Sequence, residues 1–230
     1  MDCESDETII MGHAGGDPVN FCENTVEATV SGLLKGMEAV HIDVSFSQDQ
    51  VPFLWRDHNP ESLTARLRQI GVWGVARCRP SLAPHTMVPA HLLKWHDIQT
   101  AWNYVDRKTG MYSHQQVVTF QEWIKELVIK VDISKLKTIW IEFRVPRELL
   151  RKAIYQIWEI AQDNGLEEKL WFEVMADGRV IFKKHLSMVG SVNPGFTIPL
   201  KESTNTRDRK VISSSQWFSL VHLLDQVGRG

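Results

Sequence analysis

The chain has 230 residues, enough for one α/β barrel, and its 43% apolar, 23% charged and 9% aromatic residues exclude collagen-like, coiled-coil and disordered classes. Its 26 Lys and Arg stand against 28 Asp and Glu, a net charge of −2, so no global basic field exists to recruit nucleic acid. Cys3, Cys22 and Cys78 are odd in number and lack metal-ligand spacing, which reads as unpaired thiols in a reducing compartment. The acidic start is unlike a secretory signal, and no apolar run reaches the roughly 18 residues of a transmembrane segment. The expectation is a cytoplasmic protein.

In chain order, Thr8 to Met11 reads as a buried strand running into the glycine-rich turn Gly12-His13-Ala14-Gly15-Gly16. Asn24 or Thr25 caps a helix whose Val26, Val30, Leu33 and Leu34 recur at helical spacing, with Gly36 placed to stop it. Ala39 to Phe46 is a strand with His41, Asp43 and Ser45 on one face and Val40, Ile42 and Val44 on the other. After a turn at Gln48 to Gln50, Val51 to Trp55 makes a third strand that ends in Arg56-Asp57-His58-Asn59-Pro60.

Ser62 to Ile70 suits a short helix, but residues 62–116 mix proline, glycine and aromatics without sustained periodicity and read as a long insertion. Its Trp73, Trp95 and Trp102, among Arg77, Arg79 and Lys94, suit either packing over the barrel or a lid or lipid-contacting loop. A helix follows over Thr119 to Val128, then a strand over Thr138 to Arg144 with Glu142 and Arg144 on one face. A helix over Arg147 to Asn164 and a strand over Lys169 to Val174 come next. Short strands at Val180 to Phe182 and Phe196 to Ile198, a polar loop at Lys201 to Lys210 and a helix at Ser215 to Val227 complete the expected order. This parallel α/β succession predicts a single TIM-type barrel over residues 1–230, shortened or irregular in its C-terminal half, with the insertion between strands 3 and 4.

The strand ends gather His13, His41, Asp43, Arg56, Asp57, His58, Glu142 and Arg144, and such a mixture at a barrel mouth suits metal-assisted chemistry on a phosphate ester. Gly12-His13-Ala14-Gly15, Glu23-Asn24-Thr25, His41-Ile42-Asp43, Arg56-Asp57, Thr119-Phe120-Gln121-Glu122 and Glu142-Phe143-Arg144 follow in the order and spacing of one family's motifs. The chain thereby resembles the glycerophosphodiester phosphodiesterases, closely over residues 8–60 and loosely over 117–165.

The resemblance implies a TIM barrel that cleaves a glycerophosphodiester or lysophospholipid-type substrate. His13 would serve as proton-transfer group or nucleophile, Asp43 and Glu142 would hold Mg or Ca, and Arg144 would bind phosphate. Three positions depart from the family pattern. Ala14 replaces the phosphate-binding arginine. His41 replaces a glutamate ligand, which moves the metal toward Mn or Zn. Arg56 replaces the second histidine and cannot transfer a proton, although it can restore the missing phosphate-binding charge.

His58 takes the second proton-transfer role if the extended backbone persists that far. Gly15 offers backbone N–H groups to a phosphate, and Glu23 opens the helix or steadies the His13 loop. Asp43 and Glu142 have an ion pair with Arg56 or Arg144 as the alternative to a metal, and a neutral core histidine satisfied by Asp43 is the alternative for His41. A phosphotransferase that forms a cyclic phosphate, and a non-catalytic descendant that binds a phosphorylated ligand or a protein, are the competing functions.

Overall fold

The computed structural model describes residues 9–176 and 179–184, with side-chain environments through Glu173. Strand β1 (Met11–Gly12) is two residues long and ends where the chain turns at His13; Thr8 of the expected strand lies outside the described residues. Helix α1 (Val26–Leu34) starts at Thr25, whose hydroxyl accepts the Ala28 N–H, and ends before Gly36, where φ is +93°. Strand β2 (Ala39–Phe46) is buried along its whole length.

Strand β3 (Pro52–Leu54) runs antiparallel to β2, with Val44 opposite Leu54 and Phe46 opposite Pro52. This corrects the expected parallel third strand. The few residues around Gln48 to Gln50 suffice for a hairpin but not for the crossover that a parallel pair requires.

The segment from 62 to 116 is more structured than its composition suggests. Ser62 caps α2 (Leu63–Gln69), and β4 (Cys78–Leu82), α3 (Trp95–Ala101) and β5 (Trp102–Asp106) follow, β4 and β5 forming their own antiparallel ribbon. Phe53, Trp55, Ile98, Trp102 and Tyr104 pack together as its buried core. Trp102 is fully buried and Trp95 packs on its edge, so these two close the insertion onto the sheet, while Trp73 stays half exposed.

A disulfide joins Cys22 to Cys78 and overturns the expectation of unpaired thiols at these two positions; Cys3 lies outside the described residues. The pairing follows from tertiary folding: the Arg77 N–H bonds the Pro18 carbonyl at 2.7 Å, and its guanidinium donates to Asn20 O at 2.8 Å, which brings β4 alongside the loop after β1.

Helix α4 (Phe120–Lys130) opens on a full capping box between Thr119 and Glu122. Strand β6 (Thr138–Phe143), helix α5 (Arg147–Gln162) and strand β7 (Leu170–Ala176) follow, and β8 (Arg179–Lys184) returns antiparallel to β7. The parallel strands lie in the order β1, β2, β6, β7. This is the α/β, TIM-type arrangement in partial and irregular form. The strand, loop and helix expected between Phe196 and Val227 lie outside the described residues.

Register decides what each face of the sheet carries. Ile42, Ile139, Ile141, Leu170 and Phe172 are buried. On the opposite face His41 aligns with Trp140 and Trp171, and Asp43 with Glu142 and Glu173. Trp140 and Trp171 stack, their ring centroids 5.5 Å apart and their planes 8° from parallel. A row of acids therefore lies beside a row of imidazole and indoles on one sheet face.

Candidate active site

The loop after β1 folds tightly because Ala14, Gly15 and Gly16 all take positive φ, at +50°, +91° and +123°. A side chain at Gly15 would sit 2.8 Å from the Asn24 nitrogen, so close approach requires glycine there. The Gly15 N–H is bonded to the His41 carbonyl at 2.8 Å, which ties this loop to β2 and commits that donor to the protein's own backbone. The tie places the His13 ring over His41, with centroids 5.1 Å apart and planes 7° from parallel.

His13 is exposed overall, but one face of its ring is covered by His41. Local desolvation first, then the proximity of His41, with Arg56 and Arg144 adding to it, lowers its pKa; Asp43 opposes. The imidazole of His13 is therefore neutral at neutral pH.

His41 is buried and faces two carboxylates. Its Nε2 lies 3.6 Å from Glu142 Oε2 and 3.6 Å from Glu173 Oε2, and one donor atom from each of the three residues falls within 4.8 Å of the others. His41 Nδ1 is buried without a partner among the described residues. Burial first, then the charges of Asp43 and Glu173, raise the Glu142 pKa, so the carboxylates crowd one another. A cation at this point would relieve that repulsion. One imidazole and two carboxylates form a donor set suited to Mn or Zn, so the residues fit a divalent ion.

Glu173 was not among the residues singled out from sequence. Its signal was the strand over Lys169 to Val174 itself, in which the period of two puts Glu173 on the same face as Trp171. Only pairing with β6 reveals that this face meets Glu142. We expect Glu173→Gln to weaken Mn or Zn binding by about 10- to 100-fold or more, the scale seen even for outer partners of metal ligands. Titration calorimetry checks this, and unchanged affinity would place the ion elsewhere.

Asp43 is fully buried and engaged by protein. It accepts Asn24 Nδ2 at 3.0 Å and Arg144 Nε at 2.8 Å, and its N–H donates to Asn24 Oδ1 at 3.0 Å. Burial alone would raise its pKa, but Arg144 and Arg56 hold it far below the ordinary carboxylate range. Arg144 also reaches Glu142 Oε1 at 2.7 Å, so its guanidinium bridges two acids instead of standing open. The structure thus makes the Asp43 to Arg144 ion pair and leaves Asp43 outside the His41, Glu142 and Glu173 group.

Arg56 makes no side-chain hydrogen bond or ion pair with a described residue, yet its charge acts on His13, Asp43 and Asp57. It leaves an uncommitted guanidinium whose charge reaches His13. His58 does not continue an extended run, because the chain bends after β3 and the His58 N–H bonds the Arg56 carbonyl at 3.1 Å. Burial, then Arg144 and His91, lower its pKa, and neither His13 nor Asp43 is among its charged neighbours.

Glu23 is tied down by a residue that sequence reasoning passed over. Arg68 of α2, itself buried, bonds Glu23 through Nη2 and Asp57 Oδ1 through Nη1 at 3.2 Å. The helix of the insertion thereby clamps two loops of the mouth.

With this geometry in hand, the fold is similar to that of solved structures described as glycerophosphodiester phosphodiesterases. A structure assigned to that class from Silicibacter pomeroyi superposes with a TM-score of 0.54 at 14% identity, covering 74% of this chain and 58% of that one. The glycerophosphodiester phosphodiesterase from Agrobacterium tumefaciens gives 0.50 at 16% identity, covering 74% and 59%, and a protein of the same assignment from Galdieria sulphuraria gives 0.50 at 11%, covering 74% and 57%. The match spans less than two thirds of each of these structures. No family model and no curated protein matches the sequence.

Proposed function

We propose that the chain is a metal-assisted phosphoric diester hydrolase acting on glycerophosphodiester or lysophospholipid-type substrates. The observation that supports this best is His13 stacked on His41, with His41 facing Glu142 and Glu173 and the charge of the uncommitted Arg56 guanidinium reaching His13. His41, Glu142 and Glu173 would hold the divalent ion, which when bound polarises a phosphoryl oxygen. Arg56 binds a non-bridging phosphate oxygen and takes the place of the arginine absent at Ala14. His13, neutral at working pH, takes a proton from the attacking water or attacks phosphorus itself; either way the ester P–O bond breaks, the alcohol leaves protonated, and water supplies the oxygen that completes the phosphomonoester. Arg144 holds Asp43 and Glu142 in place. Asp43, through Asn24, fixes the loop that carries Glu23.

The test is hydrolysis of glycerophosphocholine and an aryl phosphodiester with Mg, Ca, Mn or Zn. We expect turnover, highest with Mn or Zn, and its loss by about 100-fold or more in His13→Ala, the range of a proton-transfer group. The departures at Ala14 and Arg56 favour one second reading, a pocket that binds a phosphorylated ligand without cleaving it. No turnover with any of the four metals, together with glycerol 3-phosphate binding that is lost in Arg56→Ala, would establish that reading instead.

No described helix is long and apolar enough to cross a membrane. The Cys22 to Cys78 disulfide supports an oxidising compartment over the cytoplasmic address expected from the N-terminal sequence.

A further inference from the structure

The outer surface of the insertion carries a feature that the hydrolase reading does not use. Between α2 and β4, the loop Ile70-Gly71-Val72-Trp73-Gly74-Val75 presents four large apolar side chains to solvent: Ile70 is 68% exposed, Val72 71%, Trp73 52% and Val75 75%. Leu63, 74% exposed on α2, extends the same apolar surface. Single exposed apolar residues are ordinary, but four within six positions are not.

The loop is also built to stay outward. Part of its backbone is bonded from within: the Val72 and Trp73 N–H groups donate to the Leu67 carbonyl at 3.0 and 3.1 Å, and Arg107 donates to the carbonyls of Gly71 at 2.9 Å and Trp73 at 2.8 Å. Gly71 and Gly74 supply the positive φ values, +80° and +96°, that the bend needs. These bonds hold the bend, and the backbone groups they leave over suit the hydrated headgroup layer, where water can satisfy them, and not the hydrocarbon core.

The charge around it selects the medium. From Glu61 to Arg79 the chain has four arginines and one acid. Arg66 and Lys108 are exposed, Arg66 pairing with Glu61 at 3.5 Å; the Arg77 side chain is 49% exposed beside its ion pair with Asp106; and Arg79 and Arg107 bond backbone carbonyls at the loop and pair with no acid among the described residues. A tryptophan and three aliphatic side chains ringed by cations complement an anionic lipid surface, whose headgroups meet the cations while the indole occupies the interface.

We propose that the Ile70 to Val75 loop docks the protein on the surface of an anionic phospholipid bilayer. Arg68, two residues before the loop, is bonded to Glu23 and Asp57, so the docking loop is fixed to the end of the sheet that carries His13 and His41. This goes beyond the hydrolase reading and stands without it, because surface binding requires no turnover.

Cosedimentation with phosphatidylcholine vesicles and with mixed phosphatidylcholine and phosphatidylserine vesicles tests it. The full chain should partition onto the mixed vesicles, more weakly onto the neutral ones and less at high salt. The double substitution Val72→Ser with Trp73→Ser should lower partitioning by about tenfold or more, since the apolar area then stays hydrated. Arg66→Glu and Lys108→Glu should each lower it by roughly fivefold or more. All four positions are exposed, and unchanged circular dichroism controls for folding. No binding by the unmodified protein, or equal binding by the double variant, overturns the proposal. So does a dimer in analytical ultracentrifugation that the double variant abolishes, which would make the loop a subunit interface. Vesicle binding is read without substrate, so its failure leaves the hydrolase assay to be judged separately.

Discussion

Replacing Arg68 by methionine should destabilise the protein by about 3–5 kcal/mol, the scale for removing one partner from a buried ionic group. Arg68, Glu23 and Asp57 are all buried, and the single guanidinium serves both acids. Without it Glu23 loses the cation bonded to it, and Asp57 keeps only the unbonded charges of Arg56 and Arg144. A thermal melt should show a midpoint lower by roughly 10 °C or more. Glu23→Gln in the same background should recover part of the loss by removing one stranded charge, and Arg68→Lys should retain part of the original stability. A methionine variant as stable as the parent would show that the clamp contributes nothing.

Asp57 gives the same cluster a pH signature. Burial first, with the neighbouring Asp43 charge adding to it and Arg56 and Arg144 opposing, raises its pKa to about 6, and Asp57 Oδ2 lacks any partner among the described residues. The folded state therefore binds this proton more tightly than the unfolded chain, whose value is near 3.8. The stabilising contribution is fully present below about pH 4 and is lost as pH rises through about 6. The total is on the order of 3 kcal/mol. Asp57→Asn should flatten stability over that window, as measured by urea unfolding across pH.

Loss of the disulfide should have the second large effect on stability. Cys22 and Cys78 are 56 residues apart in sequence, and opening a loop of that length costs about 2–4 kcal/mol. The paired Cys22→Ser and Cys78→Ser variant, or a reductant, should lower the melting midpoint accordingly. The loss should concentrate in the insertion, whose β4 is stapled there, and limited proteolysis should cut first between α2 and β5. The core of Trp55, Trp102 and Tyr104 remains as a second attachment, so the parallel sheet should survive. Cleavage that starts in β6 or α5 instead would contradict this ordering of local stability.

What was legible in the sequence was what short-range forces dictate. Thr25 and the Thr119 to Glu122 box announce helix starts because a hydroxyl or carboxylate must satisfy the first N–H groups, and α1, α4 and α5 begin where expected. Strands β2 and β6 were readable from alternation, and with them the facing of His41, Asp43 and Glu142. The direction of β3 was misassigned although the tight turn before it already implied a hairpin.

Long-range pairing accounts for most of the remainder. Strand β4 carries Pro80, Arg79 and Ser81 between its two apolar ends, so nothing local marks it until β5 supplies its partner. Arg68 looked like one basic residue on an exposed helix, and its two acids lie 45 and 11 positions away in the chain. Glu173 joined the site only through the register of β6 with β7. The Asp43 to Arg144 contact bridges residues 101 positions apart, which no local pattern in the sequence announces.

The stacked Trp140 and Trp171 have an optical consequence. Two indoles held 5.5 Å apart and nearly parallel couple their excited states, so the folded sheet should give a split circular-dichroism couplet in the indole region that vanishes in Trp140→Phe. Because this pair lies beside Glu142 and Glu173 on the same sheet face, a paramagnetic ion such as Mn held by those carboxylates should also quench its emission. Spectroscopy of the native tryptophans can thus report the occupancy of the site directly, with no added label and no substrate.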